Sequence, residues 1–362
     1  METNKIYSSS PLKSFPTNGG KGPLSYANNC QYQKNGVVLT QALIYEEITK
    51  KLDTEFLLSH LNPFRISDMG CSVGPNTFIV VQNIIEAVKS KLNLNKDMID
   101  FQVFFNDHSE NDFNTLFKSL PVERNYFAAG VPGSFHRRLL PSSSLHLVNT
   151  SYALHWLSKI PEEIQDKNSP AWNKGKVHYS SSSKNVEAAY AAQFANDMES
   201  FLKARAEEIV HGGFLAVLLP CIPNEANPSK CTINALFEFM GSGLMDMVNM
   251  GSVDEAEVDS FNVPLYFPTQ AEVETIIERN GCFKIEKMQQ ICRPMRGFTR
   301  QEVENFAMTV RAAMEEVPRE HFGSEIAAEV FNRFSEKLVE SCVFSDPTYV
   351  PMIDLFAFLK RI

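Results

Sequence analysis

Short apolar runs alternate with longer segments of helical periodicity between Phe64 and Pro220. Strands are predicted near residues 65–69, 101–106, 145–150 and 214–219, with helices between them. Strands that alternate with helices along a chain form βαβ units, in which the strands pair in parallel. The pattern therefore predicts an α/β fold built on a doubly wound sheet.

After Pro220 the pattern becomes mainly helical, and part of this region should cover the ligand face of the sheet. The helical segments lie around residues 230–250, 270–280, 300–317 and 324–342. A non-helical stretch at residues 283–290 interrupts them, and a strand-like run at 355–359 follows the last of them.

A glycine-rich turn follows the first predicted strand. Gly70 and Gly74 can adopt backbone angles closed to other residues, and Pro75 suits the first turn of the next helix. Taken alone, this turn need only connect a strand to a helix, because its spacing is not Gly-x-Gly-x-x-Gly. Asp68 and Asp107, however, end two strands, and an acid at such a strand end can accept both hydroxyls of a ribose. Together they indicate a site for a nucleotide-like ligand.

The composition narrows the class of partner. The chain of 362 residues carries a formal net charge of −9 and has no run of lysine and arginine, which argues against binding of nucleic acid. No segment is apolar over a membrane-spanning length. The seven cysteines are scattered without metal-ligand spacing. We therefore expect reduced thiols, a cytoplasmic location, and neither a membrane nor a nucleic-acid partner.

Several segments, in this order, resemble the SABATH methyltransferases of plants, and the likeness covers nearly the whole chain. They are Ser25-Tyr26, residues 68–76 (Asp-Met-Gly-Cys-Ser-Val-Gly-Pro-Asn), 105–108 (Phe-Asn-Asp-His), 130–135 (Gly-Val-Pro-Gly-Ser-Phe) and 151–158 (Ser-Tyr-Ala-Leu-His-Trp-Leu-Ser). That family uses S-adenosylmethionine to methylate carboxyl groups of small acids, or xanthine nitrogens in its caffeine branch. The resemblance implies a Rossmann-like class I methyltransferase fold with an α-helical cap.

On this basis the chain divides into four parts. We expect a flexible leader at 1–18, which lacks the apolar run of a signal peptide. An S-adenosylmethionine-binding α/β core with an N-terminal substrate-covering segment follows at 19–220. A mainly helical cap occupies 221–349, and a final strand at 350–362 returns to the core sheet.

The resemblance also implies which residues bind S-adenosylmethionine and its product S-adenosylhomocysteine. Asp107 would bind the ribose, with His108 packed near the adenine; His108 departs from the apolar residue common there, but an imidazole can stack on a purine. Cys71 could equally be a small buried spacer. The implied cofactor-binding residues are Tyr26, Asp68, Cys71, Asn76, Asp107, His108, Ser134, Phe135 and Ser151.

At the acceptor end, Gln33 and Trp156 occupy the family positions that donate hydrogen bonds to the acceptor carboxylate. His155 stands where salicylate-specific relatives carry Met, which favours another acid, although a histidine that only satisfies the backbone is an alternative. Tyr152 would form wall and lid, or be an ordinary core tyrosine.

Four residues fall in the segments that cover the acceptor in relatives, and they predict an apolar acceptor body. Ordinary packing is nearly as good an interpretation for each of them taken singly. Phe237 replaces a histidine of the iridoid-acid relatives, so loganic acid loses support. These four residues are Phe237, Met240, Phe306 and Met308.

Methyl transfer to a carboxylate needs little acid–base help. A carboxylic acid with a pKa of roughly 4 to 5 is ionised at neutral pH, so the nucleophile arrives activated. We therefore assign no catalytic base. We expect the rate acceleration to come from alignment of the carboxylate oxygen in line with the methyl group and the sulfur, and from exclusion of water.

Two further implications of the resemblance are a homodimer and a magnesium ion. Asn173, Asp259, Asn262 and the main-chain carbonyl of Phe261 match the cation feature of some relatives, and oxygen ligands suit a hard cation. With a single carboxylate, a loop held by Asp and Asn capping is an equal alternative.

Three other functions stay open on the sequence alone. A xanthine-type N-methyltransferase of the same family would need a neutral pocket. A non-catalytic small-molecule binding protein would keep the cofactor set without turnover. A dinucleotide-dependent oxidoreductase rests only on the sheet and the glycine turn.

Overall fold

A computed structural model describes residues 15–53, 63–92, 99–293 and 297–362 of the chain. Its centre is a seven-stranded sheet. The strands are β1 Phe64–Met69, β2 Phe101–Asp107, β3 Phe127–Pro132, β4 Leu145–Ser151, β5 Ile209–Cys221, β6 Phe283–Cys292 and β7 Ile353–Arg361.

The strands lie in the order β3-β2-β1-β4-β5-β7-β6. The first five are parallel, and β7 inserts antiparallel between β5 and β6. The chain order reverses between β1 and β4. In doubly wound sheets ligands bind beyond the carboxyl ends of the strands at such a reversal. The predicted α/β class is confirmed.

Helices cover both faces of this sheet and one of its ends. They are α1 Tyr26–Asn29, α2 Gln31–Lys51, α3 Pro75–Lys91, α4 Phe113–Lys118, α5 Lys184–Glu208, α6 Thr232–Asn249, α7 Glu255–Ser260, α8 Gln270–Asn280, α9 Arg300–Met314, α10 Glu316–Phe322 and α11 Ser324–Glu340, with short 3-10 turns at Glu162–Ile164, Tyr179–Ser181 and Pro228–Lys230.

The two faces of the sheet bury different sets of side chains, because successive residues of a strand point to opposite sides. In β5, Phe214 and Leu218 pack on the face covered by α2 and α3. Leu215 and Leu219 pack on the face covered by α5 and α8. A third apolar cluster joins α6, α9 and α11 over the end of the sheet. Across the described residues, no helix has the length and apolarity needed to cross a bilayer.

Several elements had no counterpart in the sequence pattern, and β3 and α2 show why. Strand β3 is an edge strand whose side chains are mostly half-buried or exposed, so no apolar run marks it. Helix α2 buries Gly36, Thr40 and Glu47 along with its apolar residues, which blurs the hydrophobic stripe by which such a helix is recognised.

Candidate active site

Three adjoining cavities lie beyond the carboxyl ends of the parallel strands. The β1 cavity holds Asp68, Cys71 and Asn76. The β2 cavity holds Asp107 and its neighbours. The cap cavity lies between the sheet and helices α6 and α9.

The structure brings fifteen of the predicted cofactor and acceptor residues to these cavities. Tyr26 and Tyr152 line all three. The predicted cofactor residues line the β1 or β2 cavity, and Gln33, His155, Trp156, Phe237 and Phe306 line the cap cavity. The set is drawn from segments up to about 280 residues apart, so the tertiary fold alone assembles it.

The turn after β1 allows a close approach that only glycine permits. Gly70 has φ +81°, and a Cβ built there would lie 2.4 Å from the Cβ of Ala153 in the loop after β4. Ser72 follows with φ +50°. The turn can therefore bring both the backbone of α3 and the loop after β4 to the same cavity wall.

Asp68 ends β1 as a buried carboxylate. Its Oδ1 accepts a hydrogen bond of 2.7 Å from Asn149 Nδ2, and its Oδ2 accepts one from Thr77 Oγ1. Burial raises the pKa of Asp68 to about 6. The two hydrogen bonds act to lower this pKa, and the negative charge of the nearby Asp107 acts to raise it. No cationic group among the described residues acts on this carboxylate, which suits it to bind a positively charged group of a ligand.

Asp107 ends β2 in the β2 cavity. One carboxylate oxygen accepts a hydrogen bond of 2.7 Å from the backbone N–H of Ser72, and the other accepts one of 2.8 Å from the N–H of His108. Burial raises the pKa of Asp107, and His108 opposes that rise. Each oxygen keeps a lone pair free to accept from ligand hydroxyls, which is the arrangement that a ribose requires.

An aromatic wall stands beside Asp107. The rings of His108 and Phe135 are 6.4 Å apart, and those of Phe135 and His136 are 4.6 Å apart. Phe201 of α5 supports Phe135 edge-on at 6.0 Å. Such a wall can hold a flat heteroaromatic ring. His136 was missed by the sequence analysis, although it directly follows the motif at 130–135.

The loop after β4 carries the residues between the cofactor side and the cap. Tyr152 has φ +56°, and its N–H donates to Leu218 O at 2.8 Å. Trp156 forms an isolated antiparallel bridge with Leu265. The carbonyl of His155 accepts from the N–H of Tyr266 at 2.9 Å. The backbone of this loop is therefore fixed on both sides.

His155 is buried in the wall of the cap cavity. Its Nδ1 has no hydrogen-bond partner among the described residues. Burial lowers the pKa of His155 to about 3, so the ring is neutral at working pH. Its Nδ1 can form one hydrogen bond with the methyl-acceptor molecule, but the neutral ring brings no positive charge to the pocket.

The cap cavity is mainly apolar. None of the described residues that line it is Asp, Glu, Lys or Arg. Its polar donors include the Gln33 amide and the Trp156 indole. The apolar wall comes from α6, α9 and the segments beside them, namely Pro220, Ile233, Leu236, Phe237, Leu265, Phe267, Phe306, Val310, Ala313, Met314 and Met352.

Two residues expected over the acceptor do not line this cavity. Met308 is two positions from Phe306, which places it about 200° away around α9. Met240 is buried among other cap residues instead. The lining face of α9 follows the spacing 306, 309, 310 and 313, which a strict helical period could have found.

Residues close to the N-terminus also form part of the site. Phe15 and Thr17 line the β2 cavity, and the hydroxyls of Thr17 and Ser72 are 2.6 Å apart. Asn18 donates through its backbone to Ala312 O of α9 at 2.9 Å. Residues 15–18, which we expected in the leader, therefore connect the glycine turn to the cap. The remainder of that leader, residues 1–14, lies outside the described residues.

The residues expected to hold magnesium are hydrogen-bonded among themselves. Asn173 Nδ2 donates to Asn262 Oδ1 at 2.7 Å, and Asp259 Oδ1 accepts from Gly175 N at 2.8 Å. Asn173 Oδ1 accepts from Ser182 Oγ. These hydrogen bonds join the side chains into one network, and each oxygen that accepts one of them keeps a second lone pair. They fit the alternative of a loop held by Asp and Asn side chains.

Comparison with known proteins gives a consistent set of relatives. Residues 12–362 match the family described as SAM dependent carboxyl methyltransferase. A loganic acid O-methyltransferase of Catharanthus roseus is 44% identical over 353 residues, covering 97% of this chain and 95% of that protein. A farnesoic acid carboxyl-O-methyltransferase of Arabidopsis thaliana is 46% identical over 280 residues, covering 77% and 79%.

A solved structure is also similar over nearly its whole length. It is a loganic acid methyltransferase with SAH, which superposes with a TM-score of 0.90 at 45% identity and covers 96% of this chain and 98% of that one.

Proposed function

This chain belongs to the S-adenosylmethionine-dependent carboxyl methyltransferases, and from that membership we propose that it forms the methyl ester of a small, mainly apolar plant carboxylic acid. One observation carries the acceptor class. The cap cavity presents the donors Gln33 and Trp156 in a wall that is mainly apolar and, over the described residues, free of Asp, Glu, Lys and Arg. A carboxylate on an apolar body matches such a lining.

The β1 and β2 cavities hold the cofactor in this proposal. Asp68 faces the ammonium group of its methionine part, Asp107 accepts the ribose hydroxyls, and Phe135 packs on the adenine. When bound, S-adenosylmethionine supplies a methyl group activated by the positive sulfur. Support comes from the continuity of these cavities with the cap cavity through Tyr26 and Tyr152.

The chain's own contribution to the reaction is alignment and exclusion of water. The indole N–H of Trp156 and the amide of Gln33 hold the carboxylate while the apolar wall removes solvent that would weaken the nucleophile. His155 is neutral, and the acid is already ionised, so no general base is required. The ester is uncharged and is held less strongly by the same donors, which favours its release.

The chain offers a matched test of the Trp156 donor, because it contains two tryptophans. Trp156→Phe keeps an aromatic ring but removes the N–H, and we expect kcat/KM for the acid to fall about tenfold to a hundredfold. Trp172 lines none of the three cavities, so Trp172→Phe should leave kcat/KM unchanged. Affinity for S-adenosylhomocysteine, measured by calorimetry, should change little in either variant. Equal acid turnover in the two variants would remove Trp156 from the proposed role.

Three further features complete the proposal. The enzyme is a cytoplasmic homodimer, as the family resemblance implies, and light scattering should give twice the chain mass of 40.8 kDa. Asp259 and the two asparagines near it hold a loop rather than Mg²⁺. Dialysis against a chelator should therefore leave both activity and the melting temperature unchanged, whereas a loss restored by Mg²⁺ would reinstate the cation.

A further inference from the structure

A buried cluster of four residues includes two tyrosines of the cavity walls and the ion pair behind them. We call it the Arg293 cluster; it consists of Arg293, Asp354, Tyr152 and Tyr32. Arg293 follows β6 directly, and its Nε lies 2.6 Å from Asp354 Oδ2 on β7. The two side chains are 10% and 0% exposed. An ion pair this deeply buried needs further hydrogen bonds, and the other two members accept one each from Arg293 Nη1 and Nη2. Arg293 Nε meets Asp354 as an ion pair without hydrogen-bond geometry, and Asp354 Oδ1 has no hydrogen-bond partner among the described residues.

Tyr152 is the first of these partners. Arg293 Nη2 donates to the Tyr152 hydroxyl at 3.0 Å, and that hydroxyl donates to Asp354 Oδ2 at 2.8 Å. The left-handed φ of +56° at Tyr152 is uncommon outside glycine and needs tertiary contacts to persist. The ion pair provides such a contact for a residue that lines all three cavities.

Tyr32, in the first turn of α2, is the second partner. Arg293 Nη1 donates to Tyr32 O at 2.6 Å, and the guanidinium carbon lies 3.7 Å from the centre of the Tyr32 ring. The ring also packs edge-on against Phe306 of α9 at 5.5 Å. The next residue along the chain is Gln33, which we place at the acceptor carboxylate.

We propose that Arg293 is a positioning residue for acceptor binding, which fixes the first turn of α2 and the loop after β4 relative to each other. This inference rests on the proposed function, since Gln33 and Trp156 lie in those two segments. Arg293 itself lines none of the three cavities over the described residues, and acts through Tyr32 and Tyr152. The planar guanidinium of arginine, with its several N–H donors, is required because one side chain has to contact Asp354, the Tyr152 hydroxyl and the Tyr32 carbonyl at once.

Arg293→Lys tests this requirement while keeping the charge that balances Asp354. A lysine cannot make the three contacts together, so we expect KM for the acid to rise about tenfold. The dissociation constant of S-adenosylhomocysteine should stay within about twofold. Tyr152→Phe, which removes a single hydroxyl, serves as a milder second variant and should shift KM in the same direction.

Arg361→Lys is the matched control, because Arg361 lies at the far end of β7. There its guanidinium donates hydrogen bonds to Ala206 O at 2.8 Å and to Cys282 O at 3.2 Å, and neither of these residues lines the three cavities. This variant should leave KM for the acid unchanged. A general loss of stability in both arginine variants with no difference in KM would overturn the proposal.

Hydrogen exchange gives a readout that does not depend on turnover. The amides of residues 33–37 should exchange faster in Arg293→Lys than in wild type, and at the wild-type rate in Arg361→Lys. Unchanged exchange in Arg293→Lys would contradict the positioning role even if activity fell. If the wild type methylates no acid, the proposed function fails, whereas the exchange comparison still decides whether Arg293 orders α2.

Discussion

Asp68 and Asp107 end neighbouring strands, yet their surroundings give them different roles. Asp68 is held by side chains of β4 and α3, whereas Asp107 is held by backbone N–H groups of the glycine turn and of its own successor. Both acids were predictable from the sequence because each stands at the end of a predicted strand. Their partners were not predictable, because Asn149 and Ser72 reach them only through the fold.

The raised pKa of Asp68 predicts a pH dependence of cofactor binding. Its carboxyl has a pKa of about 6, so it becomes protonated as the pH falls through that value. The ammonium group of S-adenosylhomocysteine then loses its proposed counter-charge, and binding should weaken between about pH 7 and pH 5. Calorimetric titration across that range checks the prediction.

Asp68→Asn is the control for this assignment. It should bind S-adenosylhomocysteine more weakly at pH 7 and lose most of the change between pH 7 and pH 5. The stability of the folded protein depends on pH in the opposite direction from cofactor binding. The pKa of Asp68 is about 6 in the folded protein and near 3.9 in the unfolded chain, so the folded protein binds this proton more tightly. The resulting contribution to the free energy of unfolding is fully present at low pH and is lost as the pH rises through about 6. A pH-independent affinity in the wild type would remove Asp68 from the ammonium site.

At the scale of elements, the apolar runs were sufficient for the central strands but not for elements with mixed surroundings. Strand β1, buried on both faces, was predicted within one residue. Strand β3 escaped because it is an exposed edge, and α2 because its buried face includes Gly36 and Glu47. Periodicity reports burial, so it fails where a buried face is polar or a strand is open to solvent.

Gly36 provides a prediction at this scale. Propensity alone favours Ala over Gly in a helix by about 1 kcal/mol. In α2, however, a Cβ at position 36 would lie 1.7 Å from the Tyr152 hydroxyl. Gly36→Ala should therefore lower the free energy of unfolding by about 1–3 kcal/mol and raise KM for the acid.

Gly241 of α6 supplies the matched comparison, because a Cβ there meets Val177 at an ordinary 3.5 Å. Gly241→Ala should be neutral or stabilise by up to about 1 kcal/mol. Urea unfolding of the two variants measures the difference. If Gly36→Ala were as stable as Gly241→Ala, the packing of Tyr152 against α2 would not constrain the helix.

At the scale of the whole molecule, the order of the strands creates the site and the cap gives it selectivity. The reversal between β1 and β4 opens the β1 and β2 cavities, and α6 and α9 close the cap cavity over them. The resemblance indicated most residues of the cofactor side from compact motifs. The cap wall is spread over segments distant in sequence, so residues such as Tyr32 and Met352 became identifiable only in three dimensions.

The identity of the methylated product decides whether the acceptor is an apolar carboxylic acid. The purified enzyme would be incubated with labelled S-adenosylmethionine and either one acid or a xanthine, and the product identified by mass. The acids are jasmonic, indoleacetic, benzoic, salicylic, cinnamic, farnesoic and loganic acid. We predict a methyl ester from an apolar acid and little from loganic acid, whose sugar the uncharged cap cavity would bury. An N-methylated xanthine, or no methylated product from any acid, would contradict the account.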